Sequence, residues 1–438
     1  MVIILLVSSV FLLLLLISWL KVNAFLAFLL TTVLCGIGLS MPLPVIIASV
    51  NRGIGETLGP ILIIVLLGAM LGKLIAQSGA ANQISFFLQS VFGRTYLAWA
   101  LSLTGFLMGI MLYYSVGFML MVPIIYAAAS KNGFPLTYVA IPMLAPLSAM
   151  QGLLPPHPAP VLLATQLHAN LGLTALYGCI IAVPVTIIAG PLLAKFFAHQ
   201  QDTGAPVQES SVVVDECIYP SVFNSLCSVL LPVLILVIAY FLAYVANNQR
   251  QILTITSYLK EPVMIMIITL MITTYTLGWR TGRSFSSLMS LYGESIPEIA
   301  PVLFTIAGAG MLKQIFTDSH LSQEVAGIIT LAHTDPLIMT WAICAFLRLC
   351  LGSATIASLT ACGIIQPVFH AHTHPELLVL ALGAGSLFGS HINDTGFWLF
   401  KSYFKLDIKS TFMSWTLMES LISILGLAGV LAIEHLLR

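Results

Sequence analysis

The chain has 438 residues, of which 59% are hydrophobic and only 7% are charged. Soluble domains carry about 25% charged residues, so this composition excludes an ordinary soluble protein and predicts an integral membrane protein. The 16 basic residues equal the 16 acidic ones. Without any basic run, this balance also excludes a typical nucleic-acid-binding protein.

Apolar segments follow one another along the whole chain. In the first half they cover residues 2–20, 24–40, 58–78, 96–130, 138–168 and 174–198. In the second half they cover residues 221–246, 262–279, 298–317, 337–370, 376–403 and 411–437. The first segment lacks a basic start and an Ala-x-Ala cleavage site, so we expect a retained spanning helix rather than a signal peptide.

One extended polar segment, residues 199–220, separates the two sets of apolar segments. We interpret it as a cytoplasmic linker between an N-terminal transmembrane repeat at 1–198 and a C-terminal transmembrane repeat at 221–438. The seven cysteines are scattered and form no CxxC pair. We therefore expect small core residues, with no disulfide framework and no metal site.

The two halves also match in sequence. Gly68-Ala-Met-Leu-Gly-Lys73 is similar to Gly308-Ala-Gly-Met-Leu-Lys313, and Ser148–Pro158 falls opposite Ser386–Gly396. The two matches occur in the same order along the chain. They predict an internal repeat, in which the equivalent lysines are best interpreted as anchors at the membrane interfaces.

Two segments of each half have lengths that a simple crossing does not explain. About 35 residues are too many for one crossing and too few for two crossings with a loop. We predict that the first of each pair is a re-entrant hairpin, with tips near Tyr113–Gly117 and Gly352–Ile356. The second is predicted to be a helix broken at Pro155–Pro158 and at His391–Asp394.

Each half then has about five crossings, an odd number, so the two repeats are predicted to be inverted. Discontinuous helices at matching places indicate a transporter with its site near the membrane midplane. Lysine and arginine are more frequent on the side that receives the linker. That side is therefore expected to be cytoplasmic, with both termini and the base of the second hairpin outside.

The segment around the second break places His391, Asn393 and Asp394 inside an apolar region. An ionisable residue at membrane depth indicates a functional site. Asp394 also suits the N-cap of a half-helix that begins at Thr395, and the two interpretations are compatible.

The second hairpin tip carries Gly352, Ser353 and Thr355. Because a half-helix N-terminus binds anions, this tip suits a carboxylate or a polyol, although small residues also serve ordinary helix packing. Arg348 lies one turn earlier and needs a partner, either a substrate carboxylate or a resident acid. His157, in the proline cluster, is a candidate proton carrier or a hydrogen-bonded structural histidine.

Patterns typical of hydrolases and nucleotide-binding enzymes are missing from the sequence. It contains no HExxH, GxSxG or Walker-A pattern, so we expect a protein that is not an enzyme. The alternating triplet His370, His372 and His374 could bind a metal, but a solvated loop is the better interpretation, since Glu376 is the one acid or cysteine at ligand spacing. No cofactor is expected.

Five motifs together resemble the bacterial gluconate permease family of gluconate:proton symporters, with idonate, fructuronate and D-serine relatives. They are Gly53–Gly59, Gly68–Lys73, Leu154–Pro158, Gly352–Ala357 and Ser390–Phe400. The similarity extends from the first apolar segment to the last. It implies a symporter of the bacterial inner membrane that imports a sugar acid with protons, and it suggests a homodimer. By analogy of fold, it also implies an elevator-type ion-transporter architecture.

Two positions depart from the family pattern. Members usually carry a glutamate in a Phe-Tyr-Glu-Val-Gly stretch of the first hairpin, where this chain has Ser115. A hydroxyl in place of an acid puts substrate choice or proton coupling in question. Thr395 stands where proline is frequent, which should only soften the turn.

The combined prediction is an all-α polytopic secondary transporter that imports a small hydroxylated monocarboxylate with protons. The residues expected to bind the substrate are Gly352, Ser353, Thr355, Asn393, Asp394, His157 and Ser115. Asp394 and His157 are the candidates for proton coupling, and Arg348 is the charge partner. A sodium-coupled carboxylate carrier, an anion channel and a membrane-embedded enzyme remain alternatives.

Overall fold

The computed structural model describes residues 8–9, 11–13, 15–60, 62–198, 220–245, 250–319, 335–366, 374–392 and 394–437. Within these ranges every regular element is a helix, which confirms the predicted all-α fold class. Six of the described helices are long and apolar enough to cross a membrane, or up to seven if a bent pair counts as one span. Five crossings in each half would require some of the shorter apolar helices to cross as well, so this number stays a prediction.

A short π-helical stretch, Leu15–Trp19, precedes the first of the helices that lie before the polar segment. Those helices are α1 (Ala24–Gly38), α2 (Leu43–Leu58), α3 (Leu62–Gln77), α4 (Ala80–Phe92), α5 (Leu97–Gly109), α6 (Tyr114–Asn132), α7 (Leu136–Leu153), α8 (Pro158–Gln166) and α9 (Leu171–Ile187). A π-helical stretch, Ile188–Leu192, and a 3₁₀ turn, Lys195–Phe197, follow α9.

The helices of the second half begin after residue 220. They are α10 (Val222–Val245), α11 (Arg250–Lys260), α12 (Pro262–Thr273), α13 (Phe285–Asp318), α14 (Pro336–Leu351), α15 (Ala354–Ile365), α16 (Pro375–Gly385), α17 (Thr395–Tyr403), α18 (Ile408–Thr411) and α19 (Leu417–Leu437). π-helical stretches follow α12 at Thr274–Gly278 and α18 at Phe412–Thr416, and a 3₁₀ turn lies at Trp279–Thr281.

The chain forms two compact units. The first consists of Met1–Leu62, Ser148–Leu193 and Ala300–Arg438, and the second of Ile63–Leu147 and Ala194–Ile299. Each unit takes segments from both sides of the polar segment, so the units are a different division from the predicted sequence repeats. The repeats stay a prediction, and the predicted linker lies, except for its last residue, outside the described residues.

In the first unit, α14 and α15 pack against each other as a helical hairpin. Asp335 caps α14 by accepting two backbone N–H groups. The helix ends at Gly352, where φ is +71°, a left-handed conformation that favours glycine. Ser353 then caps α15 by accepting the N–H of Ile356 at 3.4 Å. Helices of 16 and 12 residues are about 24 and 18 Å long, too short to cross a membrane of about 30 Å alone.

The break between α16 and α17 begins earlier than the sequence predicts. α16 ends at Gly385, and the chain tightens into a bond from the N–H of Leu387 to the carbonyl of Ala384, at 3.2 Å. Gly389 follows with φ of +61°. The sequence predicts the break at the polar residues His391–Asp394, although Gly385 and Gly389 already weaken the helix before them.

The break between α7 and α8 lies where the sequence predicts it. α7 ends at Leu153 and α8 begins at Pro158, at the proline cluster. Proline has no N–H to continue a helix, so this break is encoded locally. α8 packs against α15 and α16, which brings both discontinuous helices of the first unit to the hairpin.

Glycines allow α7, α9 and α16 to approach one another within the first unit. A Cβ atom on Gly383 would lie 2.1 Å from the carbonyl oxygen of Gly152, and one on Gly178 would lie 2.6 Å from that of Leu153. Neither distance is possible for a real side chain. Small residues at crossing points are how helices pack closely in membranes, where apolar surface alone gives little drive to associate.

The second unit has its own polar contacts. The hydroxyl of Tyr113 donates to the carbonyl oxygen of Val65 at 2.9 Å. Lys73 forms an ion pair with Glu298 and lies 3.9 Å from Glu294. The side chain of Lys73 is only 16% exposed, so this lysine is a paired residue, and its place at a membrane interface stays a prediction.

The contact between Gly383 and Gly152 yields a test of the packing. Gly383→Ala should lower the free energy of unfolding by about 1–3 kcal/mol, since the added methyl group overlaps backbone. The measurement is chemical unfolding of detergent-purified protein. Gly293→Ala is the matched control, because a Cβ there meets nothing within 4 Å and α13 gains a better helix former. Equal stability of the two variants would contradict the close approach.

Candidate functional site

An ion pair inside the first unit joins the hairpin to the broken helix. Nη2 of Arg348 on α14 lies 2.5 Å from Oδ2 of Asp394, which precedes α17. The two side chains are only 4% and 16% exposed. Taking two charges out of water costs several kcal/mol per ion, so such a pair persists only with good geometry and further hydrogen bonds.

Those further hydrogen bonds converge on the carboxylate. The Ser390 hydroxyl donates to Oδ2 of Asp394, and the N–H of Gly396 donates to Oδ1 at 3.1 Å. Ser390 is in turn held by Nε1 of Trp415, which donates to its oxygen at 2.7 Å. Asp394 is therefore the N-cap of α17, as the sequence predicts, and it is also the resident acid that pairs with Arg348.

The guanidinium of Arg348 is less completely satisfied than its partner. Among the described residues, Nε and Nη1 of Arg348 are buried and have no hydrogen-bond partner. An unmatched buried donor costs about 1–3 kcal/mol. Since guanidinium groups bind carboxylates strongly and with defined geometry, these nitrogens could hold an anionic ligand.

The hairpin tip lies directly beyond this arginine. The N–H of Gly352 donates to the Arg348 carbonyl at 3.0 Å and closes α14. Ser353 and Thr355, both half-buried, lie at the cap and in the first turn of α15. Free N–H groups at a helix start favour negative charge, so the tip continues the electropositive character of Arg348.

His157 occupies the N-cap position of α8. Its backbone is extended, its side chain does not cap the helix, and the residue is only 3% exposed. His391, in the other break, contacts the carbonyl oxygen of Gly389 through Nδ1 at 2.8 Å. Both histidines thus lie at helix breaks of the first unit.

For two predicted site residues, Ser115 and Asn393, the structure describes no side chain. Ser115 lies in the first turn of α6, in the second unit, and its side chain is outside the described residues. Asn393 is also outside the described residues. The predicted residues that the structure brings into direct contact are Arg348 and Asp394.

The sequence analysis missed one acid close to this pair. Glu419, on α19, is 2% exposed and hydrogen-bonded to Ser148, and the charges of Arg348 and Asp394 act on it. It is an isolated acid near the start of the apolar segment 411–437. The rule that an ionisable residue at membrane depth indicates function would have singled it out.

The ion pair predicts a pattern of stability changes. Arg348→Met should lower the free energy of unfolding by about 3–5 kcal/mol, because it leaves the Asp394 carboxylate buried without its counter-charge. Adding Asp394→Asn should recover part of that loss, since asparagine is neutral and still a good N-cap. Chemical unfolding in detergent measures both changes.

Arg52 provides the control for this prediction. It pairs with Asp318 at 3.5 Å, but its side chain is 53% exposed. Arg52→Met should therefore change the stability by less than about 1 kcal/mol. A double variant as unstable as Arg348→Met alone would contradict the charge-pair explanation.

Solved structures give a likeness of fold. The YdaH transporter of Alcanivorax borkumensis matches with a TM-score of 0.64 at 16% identity, over 88% of this chain and 86% of the other. MtrF of Neisseria gonorrhoeae matches with a TM-score of 0.65 at 16% identity, over 88% and 83%. At this identity the likeness concerns the fold alone.

Sequence comparison gives the family. The model of the GntP family permease matches residues 1–436. The Gnt-II system L-idonate transporter of Escherichia coli K12 is 40% identical over 436 residues, which is 99% of each chain. A high-affinity gluconate transporter of the same organism is 40% identical over 97% of this chain and 98% of its own. A gluconate permease of Bacillus subtilis 168 is 36% identical over 96% and 97%. These relatives are named transporters or permeases, not enzymes, and the chain is a multi-pass membrane transport protein that belongs to the GntP permease family.

Proposed function

We propose that this protein imports a gluconate-like sugar acid across the bacterial inner membrane by proton symport. The observation that carries the proposal is the buried guanidinium of Arg348, with two nitrogens that have no partner in the described part of the chain. A small monocarboxylate supplies the oxygens that these donors lack. The names of the relatives, which include gluconate and L-idonate transporters, support the same substrate class.

The carboxylate of the substrate binds at Arg348, and its hydroxyl groups bind at the hairpin tip. Ser353 and Thr355 offer hydroxyls at the start of the next helix, α15. Gly352, between the two helices, leaves room for the substrate to approach the backbone. This arrangement suits a polyhydroxylated acid better than a simple fatty acid, whose chain would leave the tip hydroxyls unmatched.

Other predicted contacts complete the proposal. His157 and Asn393 contribute polar groups at the helix breaks, and Ser115 replaces the usual family glutamate with a smaller, neutral contact. The transporter has two inverted repeats, works by an elevator motion and assembles as a homodimer. The 199–220 linker lies in the cytoplasm.

Proton coupling requires a group whose charge differs between the loaded and the empty carrier. Asp394 and His157 are the two candidates that the sequence offers. Asp394 is held by Arg348 at 2.5 Å, so a proton on it breaks an ion pair. A sodium-coupled carboxylate carrier and an anion channel are the alternatives, and each predicts a different response to imposed ion gradients.

Transport in vesicles tests the proposed function directly. Proteoliposomes should accumulate labelled D-gluconate, L-idonate or D-fructuronate, and D-serine tests the range of the pocket. A proton gradient directed into the vesicles should drive accumulation. A sodium gradient with equal pH on both sides should not. Vesicles without protein give the background. Sodium-driven accumulation would favour the sodium carrier, and equilibration without accumulation would favour the channel.

The hairpin tip gives a residue-level prediction. Thr355→Val should raise the apparent KM for the transported acid about tenfold, because a substrate hydroxyl loses its partner at a cost of about 1–3 kcal/mol. Initial uptake rates over a range of concentrations measure it. Thr360→Val is the matched control on the same helix, since the buried hydroxyl of Thr360 has no partner among the described residues. Equal KM values for the two variants would indicate that Thr355 packs between helices and does not bind the substrate.

A further inference from the structure

The buried acid Glu419 has no role in the proposed binding of the substrate. It lies near the start of α19, a helix of 21 residues, and is 2% exposed. An ionised carboxylate at such a place is expensive unless it is paired and hydrogen-bonded. The described ion pairs engage Asp318, Glu294, Glu298 and Asp394, and none of them engages Glu419.

The contacts of Glu419 leave one of its oxygens unused. Its side chain shares a hydrogen bond with Ser148, at the end of α7 near the first break. Its Oε1 is buried without a partner in the described part of the chain. Of the two acids near Arg348, Glu419 is thus the one that has an oxygen able to accept a proton without breaking an ion pair.

The elements packed against α19 connect Glu419 with the proposed substrate site. α19 packs against α9, α14, α16 and two short π-helical stretches. The titratable side chains on these elements are Tyr177, Cys179, Cys344, Arg348, Cys350 and Glu376. Among them the charge of Arg348 acts on Glu419, and so does that of Asp394. On its own helix, Glu434 is 15 residues away, about 22 Å along the axis.

We propose that Glu419 carries the proton that enters with the substrate anion, an inference that rests on the proposed function. Arg348 pairs with Asp394 and its charge also acts on Glu419, so an anion bound to Arg348 adds a third negative charge to the cluster. A proton on Glu419 removes the charge that would repel the incoming anion. The anion and the proton therefore favour each other's binding, and this mutual effect is what couples their transport.

The cycle follows from this linkage. Outside, the proton binds to a Glu419 oxygen and the substrate carboxylate binds beside Arg348. Inside, where protons are scarcer, loss of the proton restores the negative charge and expels the anion. Asp394 keeps its place on Arg348 throughout, so the unloaded guanidinium is never without a counter-charge. Ser148 is a positioning residue, which holds the carboxyl toward the charge cluster.

Glu419→Gln, a permanently neutral isostere, tests the proposal. In proteoliposomes it should still exchange external labelled D-gluconate for internal gluconate, because exchange does not require the empty carrier to reset. Accumulation driven by a pH gradient should fall to the level of vesicles without protein. Glu434→Gln, the same change on the same helix, should keep both activities.

Binding of D-gluconate to purified protein gives the second readout. For the native protein, Kd should rise about 5–150-fold as the pH rises and Glu419 loses its proton. For Glu419→Gln, Kd should not change with pH. L-Idonate replaces gluconate in both assays if the uptake panel favours it.

The outcomes separate this inference from the proposed function. A native protein that transports none of the sugar acids would overturn the function itself. A native protein with proton-driven uptake whose Glu419→Gln variant keeps it would overturn the role of Glu419 alone. If that variant does not fold, Ser148→Ala decides: a shifted midpoint in the pH dependence of gluconate binding supports the proposal, and an unchanged midpoint refutes it.

Discussion

A guanidinium buried in an apolar helical unit must find negative charge, and the structure of the first unit follows from that requirement. Arg348 is buried on α14, where a carboxylate balances its positive charge. Asp394 reaches it because the chain between α16 and α17 is not helical. The break costs backbone hydrogen bonds, which Asp394 partly restores by capping α17. Ser390 and Trp415 then fix the carboxylate in place. The ion pair, the N-cap and the helix break therefore depend on one another.

The same arrangement leaves capacity for a ligand. Asp394 accepts from three donors, whereas Arg348 keeps two buried nitrogens without partners in the described residues. Glu419 in turn keeps one oxygen that has no partner among the residues described. A protein selected only for stability would satisfy these atoms or remove them, because each unmatched group opposes folding. For ionisable side chains such as Arg348 and Glu419, unlike the lone hydroxyl of Thr360, this state indicates a site where a ligand and a proton complete the hydrogen bonding.

Segment length, glycine, proline and capping residues predicted the hairpin of α14 and α15 and one of the two helix breaks. About 35 apolar residues predicted the hairpin, and Gly352 with Ser353 marked its tip, because a left-handed glycine and a serine cap are local signals. The proline cluster marked the end of α7 for the same reason. The early end of α16 was missed, since the prediction placed the break at the polar residues rather than at Gly385, where the helix ends. The partner of Lys73 was not predicted, since Glu298 is 225 residues away along the chain.

The sequence by itself determined that the chain is a helical membrane protein, that α7 ends at the proline cluster, and which residues carry the polar groups at the breaks. These properties depend on composition and on neighbours within one or two turns. Only the tertiary structure decided that Arg348 pairs with Asp394, 46 residues away, and that Glu419 and Ser148 join the same cluster. Partner choice in a low-dielectric interior depends on which side chains the packed helices bring within a few ångströms, and no local pattern records that distance.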